Sequence, residues 1–414
     1  MPEELKPGLT KCCFLDILSS NFVKKRRQWC QMMLKRIFKS PKQSFFLLGP
    51  RGSGKTTWIR ANFPEAHLID LLSEETYQRL LANPGQFGNE LRSVPTGQWV
   101  IVDEVQRLPN LLNEVHRFIE ERRLHFVLCG SSARKLKRAG VNLLAGRALH
   151  RSMHPFVPEE VGAQFDLDQA LRYGLLPIVW DSTAKQETLF SYAQFYLKEE
   201  IQAEALVRNL PGFARFLPIA ALFHGQTVNV TNIAREAGVA RTTITGYLDI
   251  LEETLLCFRL GAYEAKLRVR ERKLPKLYWC DPGIVRVMKR ATGTLAPEEK
   301  GALFEGMVAQ LLRAYKDYRG ICDDIYYWAP SGRSANEVDF ILVRGPDLIA
   351  IEAKSGNTFM EAWCKGLRAV AALEGLQRRI VVYPRGPAMR TKDGIDVLSF
   401  QQFADRLAAD ALWN

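Results

Sequence analysis

No apolar run in the 414 residues approaches the ~18 that a membrane-spanning helix needs, and the N-terminus lacks the charged, then apolar, then small-residue order of a secretory signal. Eight cysteines, Cys12, Cys13, Cys30, Cys129, Cys257, Cys280, Cys322 and Cys364, include no C-x-x-C pair and no His-flanked zinc spacing. Several lie inside apolar runs where a buried thiol fits, so a reducing cytoplasm, with no membrane partner, is the expected setting. Internal repeats with periods of roughly 20 to 50 residues are missing, as are low-complexity tracts, which removes solenoid and disordered architectures. Acidic charge is in short supply too: 45 Asp and Glu face 57 Lys and Arg, for a formal net charge of +12.

The basic excess is clustered. Arg134 to Arg151 holds six basic residues and no acidic one, and Arg259 to Lys276 holds seven against two acidic. Such clusters suit a polyanionic partner, nucleic acid above all. A hydrophobic fraction of 47% and a charged fraction of 25% are those of a globular protein, and 414 residues exceed one ordinary core, so two or three domains are expected. The stretch CCFLDILSSNFVKKRRQW, Cys12 to Trp29, reads as an amphipathic helix that packs on the next domain or a neighbouring subunit, or lies on a membrane surface.

From Ser44 to about Pro155, short apolar runs (SFFLLG, AHLIDL, QWVIVDE, HFVLCGSS, ALHRSMHPF) alternate with helical stretches, the pattern of a parallel sheet with crossover helices. That pattern ends near Gly174–Pro177, and Gln186 to Leu222 reads as mostly helical with a break at Pro211–Gly212. The expected organisation is a helical segment over 1–35, an α/β P-loop domain over 36–165, a helical lid over 166–222, a helix-turn-helix domain over 223–298 and an α/β domain over 299–414.

Gly49 to Thr56, GPRGSGKT, fits G-x-x-x-x-G-K-[ST] between an apolar strand and a helix opening at Thr57. Gly49, Pro50, Arg51, Gly52, Ser53 and Gly54 would turn backbone N–H groups toward phosphates, with the helix N-terminus at Thr57 adding its partial positive charge. Lys55 would reach the β- and γ-phosphates of ATP, and Thr56 would ligate Mg²⁺. About fifty residues on, WVIVDE ends in Asp103 and Glu104. Asp103 can hold the Mg²⁺ shell while Glu104 polarises a water, the division of labour that hydrolysis requires.

Over about Arg36 to Val161 these motifs resemble the AAA+ group of P-loop ATPases. The resemblance implies a polar sensor at Ser131 or Ser132, after FVLCG. It also implies an arginine offered in trans to a neighbouring subunit's nucleotide, Arg147 first and Arg134 or Arg138 in reserve. A finger acting in trans implies an oligomeric ring, expected to be a hexamer.

VNVTNIAREAGVARTTITGYLDILEETLLCFRL reads as two helices joined at Gly238, with Ile233, Ala234, Ala237, Val239, Ile244, Leu248 and Leu251 holding the corner. Thr231 and Arg241 to Thr243 give the start signals. Arg241, Thr242 and Thr243 open the second helix as candidate DNA contacts, and the basic run KLRVRERKLPK, with Arg268 and Arg270, lies where a wing would follow. These side chains suit backbone or shape readout, not base sequence.

In the last stretch, LFEGMVAQLLRAY carries Glu305 on a helix, EVDFILV carries Asp339, and IEAK places Glu352 and Lys354 on one face of a strand. Asp339 and Glu352 make a carboxylate pair for Mg²⁺, with Lys354 set to orient or deprotonate water. The arrangement resembles the PD-(D/E)XK nuclease superfamily over about Gly301 to Tyr383, without the proline before the first acid. SGRSANEVDFIL and LIAIEAKSG also look like the C-terminal domain fused to a widespread group of prokaryotic AAA+ ATPases. The resemblance implies an AAA+ domain, a winged helix and a restriction-endonuclease-like α/β domain. The function implied is an ATP-driven motor with a Mg²⁺-dependent nuclease for branched DNA, such as forks or Holliday junctions, in repair or recombination. The alternative is an NTP-dependent regulatory switch whose last domain only binds.

Overall fold

The structure, a computed structural model, describes residues 34–132, 144, 146–196, 209–265, 271–331 and 336–414. The chain divides into two compact units, Met1–Arg36 and Ile37–Asn414. The expected helical segment over 1–35 falls almost wholly outside the described residues.

The larger unit begins with a five-stranded parallel sheet. Its strands are β1 (Phe45–Leu48), β2 (His67–Asp70), β3 (Trp99–Asp103), β4 (His125–Gly130) and β5 (Leu149–Ser152), in the order β2-β3-β4-β1-β5. The central runs are apolar throughout because helices cover both faces. Alternation survives inside them: Phe46, Leu48, Val100, Val102, Phe126 and Leu128 enter one core, while Phe45, Leu47, Ile101, Val127 and Cys129 enter the other. Helices α1 (Lys55–Asn62), α2 (Glu74–Ala82), α3 (Gly85–Arg92) and α4 (Leu111–Arg122) connect the strands. Because all five strands run the same way, the ends of β1, β3 and β4 come together at one edge, where sheets of this kind place ligands.

Short helices α5 (Pro158–Val161), α6 (Leu167–Tyr173), α7 (Pro177–Trp180) and α8 (Lys185–Ser191) follow, then α9 (Leu210–Leu222). The Pro211–Gly212 pair expected to break a helix instead starts one. Pro211 sits in the first turn of α9, where its missing N–H costs nothing, and Asn209 caps the turn by accepting from Gly212 N at 2.9 Å.

Helices α10 (Val230–Ala237) and α11 (Arg241–Glu253) meet at Gly238, whose φ of 64° is the left-handed turn that the corner requires. Ile233, Ala234, Ala237, Ile244, Leu248 and Leu251 are buried as expected, while Val239 is half-buried. The cap of α10 is Asn229, not Thr231: its side-chain oxygen accepts from Thr231 N and Asn232 N at 3.1 and 3.2 Å. Strands β6 (Gln226–Thr227), β7 (Cys257–Leu260) and β8 (Lys276–Trp279) form an antiparallel sheet in the order β6-β8-β7.

Helix α12 (Pro282–Met288) packs on α6, and its cap ties distant chain together. The buried carboxylate of Asp281 accepts from Gly283 N at 2.8 Å and from Leu175 N at 2.6 Å. Burial pushes this carboxyl up to about 6, although those N–H groups pull it down.

The 23-residue α13 (Pro297–Arg319) then lies near a six-stranded mixed sheet. Its strands are β9 (Asp324–Trp328), β10 (Val338–Arg344), β11 (Asp347–Ala353), β12 (Leu376–Tyr383), β13 (Met389–Arg390) and β14 (Asp396–Ser399), in the order β13-β14-β12-β11-β10-β9. Helices α14 (Lys365–Ala369) and α15 (Phe400–Ala408) complete the chain. No described helix is long and apolar enough to cross a membrane.

Candidate functional site

The loop after β1 is shaped by close approach and by left-handed backbone. A Cβ on Gly49 would lie 2.4 Å from Met153 O, and Gly52 and Gly54 have φ of 74° and 85°. The loop thereby packs closely on Met153 and Ile178 in a backbone conformation that side chains disfavour. The helix opens at Lys55, two residues before the expected Thr57, which is exposed. Lys55 Nζ, nearly buried, donates to Gly49 O at 2.8 Å and Pro50 O at 3.2 Å, so neutral carbonyls hold the ammonium. The segment that follows the sheet touches the same loop, with Tyr192 Oη, just past α8, donating to Arg51 O at 3.2 Å and Ile178 of α7 beside Gly52.

Thr56 Oγ1 donates to Asp103 Oδ2 at 2.9 Å across 47 residues, so the two oxygens expected to share Mg²⁺ are in contact. This hard-oxygen pair beside a glycine cradle fits a magnesium nucleotide. Glu104 follows with φ 55° and ψ 44°, left-handed for a non-glycine residue, a strain of roughly 1–3 kcal/mol of the kind that collects at functional sites. Burial raises its carboxyl above the usual range; Lys55 opposes that and Asp103 adds to it. Burial likewise holds the Cys129 thiol, beside Asp103, well above its ordinary value, so it stays protonated.

Sequence reasoning missed Gln106. It is buried in the 3₁₀ turn after Glu104, donates Nε2 to Glu104 Oε2, and reaches Ser131 Oγ at 3.2 Å. A Cβ on Gly130 would lie 2.3 Å from Gln106 Oε1, so the end of β4 must be glycine for this side chain to fit. The structure thus brings the expected sensor Ser131 to Glu104 through one amide; Ser132 is also buried. Arg147 is exposed and pairs with Glu120 of its own chain. Arg134 and Arg138 lie outside the described residues.

The acids of the last stretch also converge. Strands β10 and β11 pair with Phe340 opposite Ile351, and that register continued by one residue sets Asp339 across from Glu352. Asp339 Oδ2 accepts from Ala353 N at 2.9 Å, and Glu352 Oε1 accepts from Lys354 Nζ. Glu305 approaches from α13. Asp339 and Glu352 have side chains only 7% exposed.

The expected Mg²⁺ pair needs correction. Lys354 bonds Glu352 itself, and a second lysine that the sequence assigned to the basic run, Lys276 of β8, turns inward. Its Nζ lies 2.8 Å from Glu305 Oε1 and 3.5 Å from Asp339 Oδ1, and it also pairs with Glu337. Tyr278 Oη donates to Glu305 Oε1 at 2.5 Å. Burial alone would lower the Lys276 ammonium, but Glu305, Tyr278, Asp339 and Glu337 outweigh it and hold it well above the ordinary lysine value. Burial, then Asp339, raise Glu352 well above the usual carboxylate range against the pull of Lys354. Among the described residues, no group of three or more His, Cys, Asp or Glu is set to hold a metal ion. As built, then, this cluster does not fit a divalent cation, because ammonium groups take that place.

On the helix-turn-helix, Arg241 and Thr242 are exposed and Thr243 is half-buried, while Arg268 and Arg270 lie outside the described residues. Much of the surrounding basic charge is answered at home: Arg259 pairs with Asp249 and Glu252, Lys273 with Glu264, and Arg272 with Glu337.

Residues 41–162 match the family described as AAA domain, and residues 164–295 and 300–403 match two families described as domains of unknown function, DUF8612 and DUF4143. Among curated proteins, Rv2008c of Mycobacterium tuberculosis, described as uncharacterized, is 27% identical over 350 residues, 82% of this chain and 76% of its own. Among solved structures, the Aeropyrum pernix ORC1 protein in complex with DNA has a TM-score of 0.25 at 14% identity, covering 66% of this chain and 89% of that one. Protein VC1899 of Vibrio cholerae has a TM-score of 0.22 at 14% identity, covering 89% and 96%. Likenesses this distant carry no argument. The family match and the loop geometry do, and on them residues 41–162 form a P-loop ATPase domain of the AAA+ type.

Proposed function

We propose that the chain is an ATP hydrolase whose cycle works a DNA-binding helix-turn-helix, with a nuclease-like C-terminal centre that is closed in the resting chain. The observation that carries the first part is the 2.9 Å contact of Thr56 with Asp103 beside the glycine loop, with Glu104 one residue on. When bound, Mg²⁺ supplies charge neutralisation at the phosphates. Lys55 exchanges its loop carbonyls for phosphate oxygens, Glu104 orients the attacking water, and Gln106 fixes the Glu104 carboxylate relative to Ser131. Arg147 serves a neighbouring subunit in a ring, expected to be a hexamer.

The helix-turn-helix followed by a β7–β8 hairpin supports a winged-helix reading, with Arg241, Thr242 and Thr243 at the DNA backbone. The six-stranded sheet with α13 supports a restriction-endonuclease-like reading of the last region. A second reading, a Mg²⁺-dependent nuclease acting on forks or Holliday junctions, is favoured by Asp339 opposing Glu352 and by Glu352 Oε2, which is buried with no hydrogen-bond partner. Nucleotide-dependent affinity for junction and linear duplex DNA tests the proposal. Wild type and Glu104→Gln should bind DNA differently with ATP than with ADP; equal affinity in every nucleotide state would refute it.

A further inference from the structure

Lys276 stands on β8, 29 residues before Glu305 and 63 before Asp339, yet it completes the cluster those acids form. Its side chain is 4% exposed. A lysine on a basic protein is ordinarily left in water, because burying an ammonium is costly unless several carboxylates repay it. Here Glu305, Glu337 and Asp339 do so together.

Four carboxylates, with Glu352, then face three cations, Lys276, Lys354 and the Arg272 that pairs with Glu337, leaving one negative charge in excess when all are ionised. Glu352 Oε2 adds an acceptor that no donor satisfies. By charge and ligand type the set suits a hard divalent cation, while by position Lys276 stands among the oxygens such an ion would need.

We propose that Lys276 is a tethered cation that keeps a divalent metal out of the Glu305, Asp339 and Glu352 cluster, and that the metal enters only when β8 withdraws the ammonium. The proposal rests on reading this cluster as a divalent-cation site. Tyr278, two residues on and on the same face of β8, donates to Glu305, so both contacts leave together when the strand moves. β8 pairs with β7, which follows directly from α11, and Cys280 N donates to Leu256 O at 2.9 Å. The helix-turn-helix is therefore joined to the acid cluster through the β7–β8 pair, and a ligand that shifts the former relieves the block on the latter.

The test is Mn²⁺ titration of the full chain without nucleotide, followed by electron paramagnetic resonance of unbound Mn²⁺. Lys276→Met should bind Mn²⁺ at least about tenfold more tightly than wild type, since a unit charge a few ångströms from the ion is gone. Adding Glu352→Gln should abolish that gain. Equal affinity in wild type and Lys276→Met overturns the block while leaving the metal site standing. Absence of binding in both overturns the metal reading and the block with it. Should Lys276→Met not fold, amine acetylation of wild type decides: saturating Mn²⁺ must raise modification of Lys276, and unchanged modification with Mn²⁺ bound overturns the proposal.

Discussion

The phosphate loop and the C-terminal acid cluster use the same residue types, acids at strand ends beside a buried lysine, and arrange them oppositely. In the first, Lys55 rests on the carbonyls of Gly49 and Pro50, so Asp103 and Glu104 are held by neutral donors, Thr56 and Gln106, and not by an ammonium. In the second, both lysines lie on the carboxylates. The difference teaches that a motif lists the parts of a site, while the partners of its lysine decide whether it is open or closed at rest.

Breaking each side of that comparison should give effects of different size and kind. Glu104→Gln should slow ATP turnover by about 10²–10⁴-fold with nucleotide binding retained, measured by phosphate release and equilibrium titration. Lys276→Met should leave turnover alone and lower unfolding free energy in metal-free buffer by about 3 kcal/mol, because the buried Asp339 and the half-buried Glu305 lose this partner; urea melts measure it, and added Mn²⁺ should restore most of the loss.

Asp281, at the joint between the α6 and α12 regions, gives a pH signature. Its folded value, about 6, lies above the ordinary 3.8, so its stabilising contribution is complete below about pH 4 and disappears as pH rises through 6. The difference corresponds to roughly 3 kcal/mol. Urea melts between pH 4 and 7.5 should show this slope in wild type and not in Asp281→Asn. Arg241→Ala is the mildest change: stability within about 0.5 kcal/mol, and a slope of DNA affinity against salt reduced by about one phosphate contact.

Much of the fold was legible. The apolar runs became the parallel strands, the glycine loop bent as its residues require, and Gly238 turned the corner between α10 and α11. The errors share a cause. Asn229 displaced Thr231 as a cap because side-chain geometry chooses among neighbouring polar residues. Gln106 was illegible because its partner Ser131 lies 25 residues away, and a lone glutamine in a turn carries no pattern. Lys276 stood in a run of bases that reads as a solvated face, and only the packing of β8 against α13 and β10 sent it inward. Asp339 and Glu352 could be placed opposite one another because a hairpin is local; what fills the space between carboxylates is not.

The most direct test of the contrast is Mn²⁺ stoichiometry in wild type with and without a slowly hydrolysed ATP analogue. The account predicts one tightly bound ion per chain with the analogue, lost in Lys55→Ala, and none without it. A tight, stoichiometric ion in nucleotide-free wild type, removed by Asp339→Asn, would show that the acid cluster is open at rest and contradict it.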